Sequence, residues 1–116
     1  MHYGYDEKKN WFKEYVKDPN VKSLDKLFEG INTEIIFYGH NHEPSDIIGN
    51  CRYVNLGSTG CNNKPEVRVG ILNIKEENIE LVKIFESYDD DGLMEDFEHR
   101  KVPAREFIVR HFITRK

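Results

Sequence analysis

Two histidines separated by one residue, His40 and His42 in Gly39-His40-Asn41-His42, are the side chains of this sequence best suited to chemistry. Imidazole is the commonest nitrogen ligand for zinc and similar ions, and the neutral ring binds near pH 7 with little protonation cost. Residues two apart in an extended chain point the same way, so both rings can converge while Asn41 points elsewhere. Taken alone, the pair supports two readings: a metal site, or surface histidines held by hydrogen bonds. Glu43, Asp46 and Asn55 are close enough to add oxygen ligands. Loop solvation accounts more simply for the first two, and a turn bond to local backbone for Asn55. Cys51 and Cys61 stand in no metal or redox spacing and read as reduced thiols, neither placed as a nucleophile. His99 and His111 fall in helical segments and read as surface or packing residues.

The elements that must position this pair follow from hydrophobic spacing. Glu34-Ile35-Ile36-Phe37-Tyr38 is a continuous apolar run with β-branched and aromatic residues, the pattern of a strand buried on both faces. It stops at Gly39, whose conformational freedom allows a sharp exit that would present the histidines outward. Ahead of it, Trp11, Phe12, Tyr15 and Val16 have helical spacing within Glu7 to Lys17, with Pro19 as the stop. A second helix is expected from an N-cap near Ser23, burying Leu24, Leu27 and Phe28 and ending at Gly30; Lys26 stands where a capping box would have Glu or Gln. Cys51 to Asn55 alternates as a strand and is broken by Gly57-Ser58-Thr59-Gly60. Arg68 to Ile74 and Ile79 to Phe85 form a hairpin around a four-residue loop, Lys75 to Asn78. The acidic turn Asp89-Asp90-Asp91-Gly92 leads into a helix over Leu93 to Arg100, its carboxylates favouring the helix dipole. Pro103 opens a last helix carrying Phe107, Ile108, His111 and Phe112. The expected order is helix, helix, four strands, two helices.

Composition narrows the function classes. With 116 residues, 38% of them hydrophobic, the chain suits one domain over 1–116 and one core rather than a two-domain enzyme. Seventeen Lys and Arg against 21 Asp and Glu leave a net charge of −4, and no stretch combines basic residues with aromatics as a nucleic-acid groove requires, so no nucleic-acid partner is expected. Apolar runs are too short to cross a bilayer. Met1-His2-Tyr3-Gly4-Tyr5-Asp6 lacks the basic and then apolar pattern of a signal peptide, so a soluble cytoplasmic protein is expected.

Tyr38-Gly39-His40-Asn41-His42-Glu43-Pro44, followed by Asn55-Leu56-Gly57-Ser58, resembles the GHxH motif and the downstream N-P-G-S turn of calcineurin-like metallophosphoesterases, particularly their small bacterial members. Leu56 replaces the usual proline. Met1-His2-Tyr3 is similar to an upstream motif in which a strand ends in one ligand histidine, and Val102-Pro103-Ala104-Arg105-Glu106-Phe107-Ile108 to the end of one bacterial subgroup. The resemblance implies the C-terminal half of a layered α/β sandwich, a β-sheet flanked by helices. It implies two divalent ions (Mn, Zn or Fe) bridged by a carboxylate and a hydroxide, with His40 and His2 on the second ion and His42 on the first. Such a pair, about 3.5–4 Å apart, generates a nucleophile and aligns an in-line attack on a phosphoester. The ions would dominate the local field, so a negative chain is no obstacle to an anionic substrate. In an intact site Ser58 and Thr59 could contact phosphate, although burial or turn bonding is the simpler role.

The sequence departs from the family in one decisive respect. The earlier motifs D-x-H, G-D-x-x-D and G-N-H do not occur in the 116 residues. They supply the bridging carboxylate, the other ligands of the first ion, the asparagine of the second and the histidine that assists the leaving group. A catalytic zinc site normally has three protein ligands and a water. Two histidines for one ion and one for the other predict partial or no metal occupancy and little hydrolysis by this chain alone. The expected partner is a missing N-terminal half, or a second copy covering the apolar face that a half-sandwich exposes. The competing reading is a binding or interaction module that keeps the histidines as relics.

Overall fold

In the computed structural model, which describes residues 4–76 and 78–113, the segment expected as a helix over Glu7 to Lys17 contains a short hairpin instead. Strand β1 (Tyr5–Asp6) pairs antiparallel with β2 (Trp11–Phe12). The Asp6 carboxylate accepts the backbone N–H groups of Lys8 and Lys9 at 3.1 and 3.2 Å, and Asn10 adopts the left-handed conformation with φ 49°. Asp and Asn favour such turns because their side chains bond nearby backbone and tolerate positive φ. Of the expected helical stripe, Phe12 packs across the strands instead, its ring edge to face with that of Tyr5 at 5.9 Å.

Helix α1 (Val21–Leu27) has its N-cap at Asn20, three residues before the expected cap at Ser23. The Asn20 side chain accepts the Ser23 N–H at 3.1 Å, and the Asn20 N–H donates to the Ser23 hydroxyl at 3.0 Å. Ser23 thus fills the third position of a capping box, the place in which Glu or Gln is usual. The next elements form one three-stranded sheet in the order β3-β5-β4. Its strands are β3 (Ile35–Phe37), β4 (Ser45–Ile48) and β5 (Arg52–Asn55), with β3 parallel and β4 antiparallel to β5. β4 was not expected, since its first half, Ser45-Asp46, carries no apolar signal. The pairing of Ser45 with Asn55 through Ile48 with Arg52 creates it.

Helix α1 packs its stripe on this sheet. Leu24, Phe28, Ile36 and Tyr53 form the buried core, and the Phe28 and Tyr53 rings stack at 5.6 Å. Asp25 ties helix to sheet by accepting the Tyr53 hydroxyl at 2.7 Å and the Asn50 N–H at 2.8 Å. These elements belong to the first of two compact units, Met1–Gly57.

The second unit, Ser58–Lys116, is built on a long hairpin. Strands β6 (Glu66–Lys75) and β7 (Asn78–Ser87) pair in register from Glu66 opposite Ser87 to Lys75 opposite Asn78. The ladder therefore includes both residues expected to bound the loop. The register puts Val67, Val69, Ile71, Val82 and Ile84 on one face, and Leu72, Ile74, Ile79, Leu81 and Phe85 on the other. Helix α2 (Leu93–His99) follows the acidic turn as expected. Helix α3 (Arg105–Phe112) begins two residues after Pro103 because Ala104, with φ 54°, sits at its N-cap in the left-handed conformation. Among the described residues these elements make a mixed α/β fold with three sheets and three helices.

Candidate functional site

The loop carrying the histidines leaves the C-terminal end of β3. One further ladder bond, from the Tyr38 N–H to the Val54 carbonyl at 2.9 Å, holds the chain beside β5 before it turns. The left-handed residue at the exit is His40, with φ 77°, and Gly39 has no positive φ. This corrects the expectation that glycine makes the bend. It also removes the extended-chain argument for convergence of the two rings, because side chains alternate regularly only where the backbone is extended. A non-glycine residue in this conformation costs about 1 kcal/mol or more, so the surrounding bonds must hold it.

Those bonds come from Asn55 and Asn41. Asn55, only 4% exposed, donates its amide to the Asn41 carbonyl at 2.8 Å and the Glu43 carbonyl at 3.2 Å, while its side-chain oxygen accepts the Gly57 N–H at 2.9 Å. One buried side chain therefore clamps the histidine loop to the Asn-x-Gly turn. Gly57 has φ 83°, a conformation that favours glycine. The Asn41 amide donates to the Val16 carbonyl at 2.7 Å, one residue from the Tyr15 ring that contacts His40.

His40 is half-buried, its ring centroid 4.2 Å from that of Tyr15 at an interplanar angle of 53°. His42 is exposed. His2 lies outside the described residues. Asp46 is on β4, where its carboxylate receives a two-pronged bond from the Arg52 guanidinium at 2.9 and 2.8 Å. That bond holds Arg52 above its ordinary pKa, and its bidentate form adds geometric specificity to the pair. Glu43 contributes its backbone carbonyl to the clamp and has an exposed side chain.

In the second unit the Ser58 hydroxyl accepts the Cys61 N–H at 2.8 Å, a turn bond. The Thr59 carbonyl accepts the Tyr88 hydroxyl at 3.5 Å. Asn62, 4% exposed, repeats the device of Asn55 by donating to the carbonyls of Ser58 and Glu66 at 3.0 and 3.2 Å. Cys51 and Cys61 are free thiols. His99 is exposed at the end of α2, and His111 stacks on Phe107 at 4.2 Å.

Among the described residues, no three His, Cys, Asp or Glu side chains come together in a way that could hold a metal ion. His40 and His42 are therefore at most part of a donor set, and a catalytic metal does not fit the described residues by themselves. Sequence reasoning missed Tyr15. Its contact with His40 spans 25 residues, and local spacing places it on a helix that does not form.

No family model and no curated protein matches this chain. Among solved structures it is similar to hypothetical protein PH1004 from Pyrococcus horikoshii OT3, with a TM-score of 0.66 and 16% identity. The similarity covers 99% of this chain and 46% of that one, so the chain spans less than half the length of its structural neighbour. At that identity the likeness concerns the fold alone. Among the described residues, no helix is long and apolar enough to cross a membrane.

Proposed function

We propose that this chain is the C-terminal half of a cytoplasmic dinuclear-metal phosphoesterase acting on phosphomonoesters or phosphodiesters, with little or no turnover by itself. The observation that carries the reading is the clamp between its two motif segments. Asn55, from the Asn-Leu-Gly-Ser turn, grips the backbone of the Gly-His-Asn-His loop at Asn41 and Glu43, 14 and 12 residues away. A turn and a loop that resemble two motifs of one family are thus parts of one substructure. The two apolar faces of the β6–β7 hairpin are a second support, since a strand pair inside a layered sandwich is covered on both sides.

In this reading His40 and His42, with His2, are this half's share of the ligands for two divalent ions. The remaining donors come from a separate N-terminal half bearing the D-x-H, G-D-x-x-D and G-N-H motifs. The shortfall in described donors favours a second reading, a binding or interaction module in which the histidines are relics.

Manganese-dependent hydrolysis of a chromogenic phosphodiester separates the two. The purified chain is expected to give turnover near background, and turnover is expected to appear when an N-terminal half carrying the three motifs is added. His40→Ala or His42→Ala in the mixture should abolish it. No turnover in the mixture would favour the module, and robust turnover by the chain alone would overturn its assignment as an incomplete enzyme.

A further inference from the structure

The histidine loop is held from a second side by a segment that the clamp does not involve. The Tyr15 ring lies against the His40 imidazole with centroids 4.2 Å apart. One residue along on each side, the Asn41 amide donates to the Val16 carbonyl at 2.7 Å and to the Lys17 carbonyl at 3.4 Å. Tyr15 and Val16 also line an apolar crevice with Leu27, Phe28, Tyr38 and Asn41, so the segment rests on the edge of the core. Consecutive residues 15–17 thus meet consecutive loop residues 40–41 through one ring contact and two hydrogen bonds. Tyr15 is 50% exposed, so these contacts leave half of the residue open to solvent.

We propose that Tyr15–Lys17 is a latch on the histidine loop, in which Tyr15 is a positioning residue that fixes the direction of the His40 ring and shields it from solvent. The role of His40 as a ligand rests on the function proposed above; the latch itself does not. The physical case is one of local opening. Tyr15–Lys17 are joined to the loop by one ring contact and two hydrogen bonds, so their release costs much less than global unfolding and occurs within the native state. A residue arriving to complete a site at His40 meets a ring that is already oriented but covered, and binding must be coupled to displacement of Tyr15.

The test is carbethoxylation of the full chain by diethylpyrocarbonate, with the rate at each histidine read by mass spectrometry. In the wild-type protein His40 is expected to react more slowly than His42. Tyr15→Ala and Asn41→Ala should each raise the His40 rate by at least about threefold, the opening expected from loss of one ring or hydrogen-bond contact. His99 and His111 should keep their rates, and Tyr15→Phe, which retains the ring, should keep the wild-type rate at His40. An unchanged His40 rate in both disruptive variants would overturn the latch. So would an equal rise at all histidines, or a Tyr15→Phe rate as fast as that of Tyr15→Ala. No metal or substrate enters the measurement, so failure of the phosphoesterase reading would leave its outcome intact.

Discussion

At the scale of single residues, two buried polar side chains carry the largest local consequences. Asn55 satisfies two loop carbonyls and one turn N–H from a position 4% exposed, so Asn55→Ala leaves all three without that partner. The expected loss is about 2–3 kcal/mol in urea denaturation, more than a typical surface change. A loss below about 0.5 kcal/mol would show that water replaces the clamp at little cost. Its role as a turn residue bonding local backbone was legible from the Asn-x-Gly spacing, but its grip on Asn41 and Glu43 was not. Tyr53 is the second case. Burial raises its phenol above the ordinary value of 10.0, and the hydrogen bond it donates to Asp25 adds to the shift. The folded state therefore holds this proton more tightly than the unfolded chain. The associated stability is fully present below about pH 10 and is lost as pH rises beyond it. Tyr53→Phe should cost about 1 kcal/mol near pH 7 and flatten this alkaline decline, both visible in denaturation midpoints across pH.

Among the elements, the contact of α1 with the turn between β4 and β5 leaves little space. A Cβ at Gly49 would strike the Asp25 carboxylate and come within 3.1 Å of the Tyr53 ring, although Gly49 has no positive φ. Gly49→Ala should therefore destabilise the protein by about 1–3 kcal/mol through overpacking. Gly60→Ala, where nothing lies within 4 Å, should stay within about 0.5 kcal/mol. Equal midpoints for the two variants would contradict this account. The same contact explains why helix and sheet were unequally legible. The Leu24 and Phe28 stripe and the Ile35–Phe37 run announce buried faces through local periodicity. Ser45–Ile48 becomes a strand only because β5 offers it a ladder, and a pattern half polar gives no warning of that. The hairpin at Tyr5–Phe12 failed in the opposite sense. Aromatic spacing fitted a helix, while the Asp6 and Asn10 turn chemistry that overrides it lay between the apolar positions.

For the whole molecule, the relevant facts are the 46% share of the structural neighbour and the apolar character of both hairpin faces. Val69, Ile71, Val82 and Phe85 are 48%, 47%, 42% and 48% exposed, and Ile74 is 71% exposed, an amount of apolar surface that favours association. The isolated chain is expected to show concentration-dependent sedimentation. Charging one cross-strand pair with Ile71→Lys and Val82→Glu, which lie opposite each other, should suppress it. Sedimentation that is independent of concentration in the wild type would remove the reason to expect a covering partner. By itself the sequence determined strands β3 and β5, the β6–β7 hairpin, the last two helices and the residues worth testing, because each announces itself through periodicity or turn residues within a few positions along the chain. Tertiary structure decided that His40 takes the left-handed turn and rests under Tyr15, and that Asn55 grips the loop 14 residues away. Those outcomes depend on which backbone groups are brought together for burial, and hydrogen bonds between distant segments leave no periodic trace in a sequence.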